Sequence, residues 1–193
     1  MTGPVTYSRD GDVAVITIDN PPVNALGKAV RDGIVAAINS FNADADAKAA
    51  VIVGAGRTFP AGADISEFGK PPQAPSLTSV CNDIENAEKP VIASIHGTSL
   101  GGGLEVALGA HWRVAQKSAK VGLPEVHLGI IPGAGGTQRA PRLIGAEAAV
   151  EMITSGRHIG APEALKLGLV DAVDDSGDVV AAGVAFAKKL LAD

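Results

Sequence analysis

Apolar and polar positions follow two periodicities along the chain, and the switches between them mark its elements. Val13-Ala-Val-Ile-Thr-Ile18 is β-branched and apolar on both faces, and Asp19-Asn20-Pro21-Pro22 closes it, which predicts a buried strand and a turn. From Leu26 to Phe41, Leu26, Val30, Ile34, Ile38 and Phe41 return every three or four positions and share one face of an amphipathic helix. Ala50–Val53 predicts a second buried strand ending at Gly54-Ala-Gly56, and Pro71, Pro72 and Pro75 mark irregular structure before a helix near Leu77–Ala87. Lys89-Pro90 breaks the chain and launches a third strand, Val91–Ile95. Gly101, Gly102 and Gly103 open an Ala/Leu-rich helix running to Ala110, and short strands are expected around Val114 and Val121. Further helices are predicted at Ala146–Thr154, Pro162–Leu167 and Val179–Leu191, with Pro162 in a first turn and Gly168 as a stop. Strands and helices alternate, so the fold class is α/β. The last helix carries an apolar face of Val180, Val184, Ala187, Leu190 and Leu191 that must dock on something. Either this domain or further polypeptide receives it, and the second is the expectation.

Composition narrows the class. The 193 residues suffice for one well-buried domain and are short for two. With 46% hydrophobic but only 3% aromatic residues, the core must be built from Ala, Val, Ile and Leu. A net charge of −5 without a dense Lys/Arg cluster argues against nucleic acid as a partner, because phosphate binding needs a concentrated basic face. Cys81 is the only cysteine, makes no internal disulfide and reads as a structural thiol. The longest apolar runs fall far short of a membrane span, and Met1–Asp12 does not resemble a signal peptide. No membrane partner and a cytoplasmic location are therefore expected.

Three segments set glycines and polar residues beside apolar strands: Phe59-Pro-Ala-Gly-Ala-Asp-Ile65, Gly97 to Glu105, and Gly122-Leu-Pro-Glu125 running on to Thr137. Glycine lets backbone approach a ligand closely, and free N–H groups at a helix start favour negative charge. Glu105 sits among Leu104, Val106, Ala107 and Leu108 in the first turn of an apolar helix, where burial would push its pKa toward the acid-base range. Glu125 is placed similarly between Pro124 and Val126. Against this, a first-turn glutamate often only complements the helix dipole, Pro-Glu is a common helix start, and Asp64 reads first as a capping residue. On spacing alone, both readings of the glutamates stay open. His96, His111, His127 and His158 lack metal-ligand spacing, so no metal site is expected. No nucleophile elbow, P-loop or dinucleotide fingerprint fits, and Trp112 and Tyr7 read as packing residues.

Together the three segments resemble the signatures of the enoyl-CoA hydratase/isomerase (crotonase) family, and Asn20-Pro-Pro-Val-Asn-Ala-Leu26 fits the same pattern. Ile153-Thr-Ser-Gly-Arg157 and Glu163 to Asp171 are similar to the N-terminal hydratase/isomerase half of bifunctional enoyl-CoA hydratase/3-hydroxyacyl-CoA dehydrogenases. The resemblance implies a crotonase-like spiral of repeated β-β-α units over residues 1–193, lacking the family's C-terminal helices or following domains. It implies hydration of a 2-enoyl-CoA in fatty-acid β-oxidation, with Δ3-Δ2 isomerisation or mere acyl-CoA binding as alternatives. Glu125 would protonate the α-carbon, Glu105 would activate water, and the N–H groups of Ala63 and Gly102 would form the oxyanion hole. Asn24, Ala25, Leu26, Ala61, Gly62, Asp64, Ile65, Pro132 and Gly133 would contact the substrate, with Lys28, Arg57 and Lys70 as candidates for the CoA phosphates. Coenzyme A would enter as part of the substrate, with no separate cofactor. A trimer or a downstream dehydrogenase domain is the implied partner. Pro60 departs from the small residue usual in the family, but its missing N–H is neither proposed donor.

Overall fold

A computed structural model describes residues 3–192; Met1, Thr2 and Asp193 of the expected core lie outside the described residues. The elements in chain order are β1 (Val5–Asp10), β2 (Val13–Ile18), α1 (Lys28–Ala43), β3 (Ala49–Gly54), α2 (Leu77–Glu85), β4 (Val91–Ile95), β5 (Thr98–Leu100) and α3 (Gly102–Gly109). There follow β6 (Trp112–Gln116), β7 (Lys120–Gly122), α4 (Gly136–Ile144), α5 (Ala146–Ser155), β8 (Ile159–Gly160), α6 (Ala161–Leu167), β9 (Ala172–Asp174) and α7 (Val179–Ala192).

One sheet has the order β1-β2-β3-β4-β6-β9, with β1 antiparallel to β2 and every other neighbour parallel. A second, three-stranded sheet has the order β5-β7-β8. The chain leaves β4 in the large sheet for β5 in the small one, crosses through α3 to β6, and turns again into β7. Those passes are the expected β-β-α turns of a spiral, and they carry the start of α3 to the junction of the two sheets. The central strands β3 and β4 are buried at every position, which parallel strands covered on both faces require. One face packs the predicted α1 stripe of Val30, Ile34, Ile38 and Phe41, together with Ile16 and Ile52. The other face packs Val51, Ile92 and Val114 against Val184 and Ala187 of α7.

This second contact revises the expectation for the C-terminal helix: Val184, Ala187 and in part Leu190 fold back on the sheet of the same domain, while Val180 and Leu191 stay exposed. The Ala/Val/Ile-rich surface of β3, β4 and β6 supplies the apolar complement for those packed residues. Trp112 and Phe186 add a tilted aromatic contact at 6.1 Å between ring centroids. Among the described residues no helix is long and apolar enough to cross a membrane.

Lys89, given no structural role in the sequence beyond a chain break, closes the C-terminal end of α1. Its ammonium donates to the carbonyls of Phe41 (2.6 Å), Asp44 (2.8 Å) and Ala47 (2.9 Å), and stands 4.4 Å from the Phe41 ring centroid. Orphan carbonyls at a helix end are thereby satisfied by a cation where the dipole favours one. Lys89→Met is expected to lower stability by about 2 kcal/mol, from charged hydrogen bonds that methionine cannot make. Urea denaturation checks this; a midpoint equal to the parent's would show the contact to be idle.

Candidate active site

The site is built where α3 begins. Gly103 packs so closely on the preceding loop that a Cβ there would lie 1.7 Å from the Pro60 carbonyl oxygen. Only a glycine allows that approach, and it sets the N-terminus of α3 directly against Ala61–Ala63. As the first residue of α3, Gly102 has an N–H with no partner in its own helix, and neither it nor the Ala63 N–H donates to an acceptor among the described residues. The predicted pair of donors is thus brought together and left free.

Glu105, one turn into α3, is 2% exposed. Its Oε1 accepts hydrogen bonds from the N–H groups of Ala134 (2.7 Å) and Gly136 (2.8 Å). Gly136 is the first residue of α4. The carboxylate therefore sits at the N-terminus of a different helix, and complementing the dipole of its own helix is not what occupies it. Burial raises its pKa, opposed by the two N–H groups and by the charge of Arg139. Glu125 lies in a short 3-10 turn, Pro124–Leu128, and is also buried. Its Oε2 has no hydrogen-bond partner. Burial pushes its pKa up to about 7; its own backbone N–H opposes the rise and the Glu105 charge adds to it. The two carboxyls face opposite environments: one cradled by donors, the other bare.

Both open into one apolar cavity of about 470 Å³. Of the positions singled out in the sequence, Ala61, Gly62, Ala63, Ile65, Gly102, Glu105, Glu125 and Gly133 line it. The side chains of Asn24 and Leu26 are turned away. Asn24 adopts a left-handed conformation (φ 55°), accepts from the Asn20 N–H and donates to the carbonyls of Ala55 and Thr58, while Leu26 is wholly buried in the core. Their segment borders the site through backbone, the Leu26 N–H donating to the Gly62 carbonyl. Ala25, Asp64 and Pro132 do not line the cavity. Asp64 caps a 3-10 turn, Ile65–Glu67, by accepting the Ser66 N–H, as the capping reading expects. Lys28 is tied to Asp32 at 2.6 Å, whereas Arg57 and Lys70 are exposed and without ion pairs among the described residues.

Sequence reasoning missed the apolar walls: Phe68, Leu77, Leu100, Leu128, Ile130 and Ile131. Scattered single hydrophobics carry no periodic signal, although the apolar pair Ile130-Ile131 between Gly129 and Pro132 offered one. It also missed Arg31, which is buried and donates to the carbonyls of Leu26 and Pro75 and to Glu67 at 2.7 Å. That network ties the cavity-lining loop of Ile65 and Phe68 to α1.

Residues 8–193 match the family model described as enoyl-CoA hydratase/isomerase. The chain is 54% identical over 163 residues to the "Peroxisomal bifunctional enzyme" of Danio rerio, covering 84% of this chain and 23% of that protein. It is 44% identical to the "Probable enoyl-CoA hydratase" of Bacillus subtilis (strain 168), covering 96% of this chain and 75% of that one. Among solved structures, an enoyl-CoA hydratase from Bacillus anthracis superimposes with a TM-score of 0.91 at 34% identity, covering 98% of this chain and 77% of that chain. The chain spans about a quarter of the length of the bifunctional relatives it matches. Those relatives are named as peroxisomal, which lends the expected cytoplasmic location no support.

The raised pKa of Glu125 carries a stability consequence. The folded state holds this proton more tightly than the unfolded chain, so its favourable contribution is complete at low pH. That contribution is lost as pH rises through about 7. Glu125→Gln, which stays neutral, should therefore raise Tm relative to the parent more at about pH 8 than at about pH 5. A difference in Tm that does not change with pH, measured by calorimetry, would contradict the assignment.

Proposed function

Because the chain belongs to the enoyl-CoA hydratase/isomerase family, we propose that it hydrates a 2-enoyl-CoA thioester to the 3-hydroxyacyl-CoA. The observation that carries this reading is the pair of unlike carboxyls beside two free backbone N–H groups in one apolar cavity. The N–H groups of Ala63 and Gly102 bind the thioester oxygen and gain strength as enolate charge develops on it, an arrangement in which one donor is typically worth about 10²–10³ in rate. Glu105, whose pKa burial raises while the Ala134 and Gly136 N–H groups oppose the rise, takes a proton from water as the water oxygen bonds to the β-carbon. Glu125, pushed toward its neutral form, gives its proton to the α-carbon. Water supplies one hydroxyl and one proton in total. A proton passing from Glu105 to Glu125 after release resets the pair, whose titration is shared. Nothing further is consumed, so coenzyme A enters as part of the substrate.

The same cavity supports a second reaction. With no water admitted, Glu125 could move a proton between the α- and γ-carbons of a 3-enoyl-CoA, its bare Oε2 being free to reach either. Hydration is the primary reading, because isomerisation would leave the N–H cradle of Glu105 without a task. Arg57 and Lys70, both exposed, are the proposed contacts for the CoA phosphates. The similarity to bifunctional enzymes supports placing this activity in fatty-acid β-oxidation, next to a dehydrogenase that consumes the 3-hydroxyacyl product.

Hydration of crotonyl-CoA, followed as loss of enoyl-thioester absorbance, tests the proposal. The protein is expected to turn over, with Glu105→Gln and Glu125→Gln each slower by about 10²-fold or more. An inactive parent, or a Glu125→Gln variant that binds and reacts like the parent, sinks the acid-base assignment.

A further inference from the structure

Arg139, on α4, takes no part in the chemistry above, yet its side chain is only 11% exposed. Its Nη1 donates to the Ala134 carbonyl at 3.1 Å, and its Nη2 to Asn82 Oδ1 (2.9 Å) and Glu85 Oε2 (2.5 Å) of α2. Gly135, between Ala134 and the start of α4, has φ +107°, and a Cβ there would stand 2.0 Å from Arg139 Nη1. The guanidinium thus lies directly over the glycine.

This arrangement bears on Glu105. The N–H groups that hold its Oε1 belong to Ala134 and Gly136. The peptide between them joins Ala134 to Gly135, and its carbonyl is the one that Arg139 grips. That peptide carries neither N–H itself. The backbone angles at Ala134 and Gly135 on either side of it set where the two flanking N–H groups point, so an uncompensated turn there would swing one of them off the carboxylate. Gly135 itself resists such a rotation weakly, since glycine tolerates most backbone angles. The restraint must come from outside the loop, and Arg139 supplies it with α2 as the anchor. A surface ion pair with the half-exposed Glu85 would contribute little alone. The forked contact to a carbonyl and to a second helix is a different matter, and a lysine, with its compact point charge, could not span both ends.

We infer that Arg139 is a positioning residue, which locks the Ala134–Gly135 peptide so that the flanking N–H groups stay aimed at Glu105. The inference rests on the reading in which Glu105 does acid-base work, and its test separates the two. Arg139→Gln and Arg139→Lys are compared with the parent in crotonyl-CoA hydration and in the amide proton shifts of Ala134 and Gly136. For Arg139→Gln, kcat is expected to fall by about tenfold or more with KM within about threefold, since misplaced catalytic groups cost rate more than binding. Both amide protons should move upfield as their bonds to the carboxylate lengthen, and Arg139→Lys should restore part of kcat. A folded variant whose kcat stays within about threefold of the parent, or whose two amides do not move, overturns the inference. If Arg139→Gln does not fold, Arg139→Lys decides by the same two readouts, with smaller losses expected. An inactive parent would sink the hydratase reading, while the amide shifts would still judge the role of Arg139.

Discussion

The approach of Gly103 to the Pro60 carbonyl is the contact on which the site depends. It lets the first turn of α3 lie against the loop Ala61–Ala63, and no residue with a Cβ could occupy that position without moving one of the two. From that approach follow the neighbouring free N–H groups of Ala63 and Gly102, and the entry of Glu105 into the cavity one turn later. The β4-to-β5 passage between sheets aims α3 there, and the fully buried β3 and β4 hold the platform still.

Electrostatics then sets two chemically identical side chains apart. Glu105 is the more deeply buried, but two N–H groups at the head of α4 and the Arg139 charge oppose the cost of ionising it. Glu125 has only its own backbone N–H to oppose burial and the neighbouring charge, and it titrates near neutrality. The difference comes from what surrounds each group rather than from its own helix, which is why reading each glutamate in its local sequence left the alternatives balanced.

Much of the fold was legible because the buried elements carry strong periodicity. β2 and β4 appear at their predicted bounds, and α1, β3 and α2 lie within a few residues of theirs. The elements without an apolar pattern were missed. The edge strand β1 reads Val-Thr-Tyr-Ser-Arg-Asp, and α4 begins at a glycine and contains Pro141, so both look like loop. The glycine segments located the site, and the family resemblance gave roles to Glu105 and Glu125. What the sequence could not show was partnership across the fold: the Ala134 and Gly136 cradle, the Arg31 network and the apolar walls come from segments that meet only in three dimensions. Asn24 illustrates the converse, since its amide is spent on holding its own turn.

The crossing of the chain between two sheets has a consequence for how the protein is made. The hydrogen bonds that cradle Glu105 span 29 and 31 residues, and the parallel pairings of β3 with β2 and with β4 close longer loops still. Contacts of such separation form slowly, and none is stabilised until its neighbours are in place. No short stretch of the nascent chain can therefore hold even half of the cavity. Ligand binding by this domain should act as an all-or-none report that the whole spiral has closed, and partially folded chains should be chemically silent.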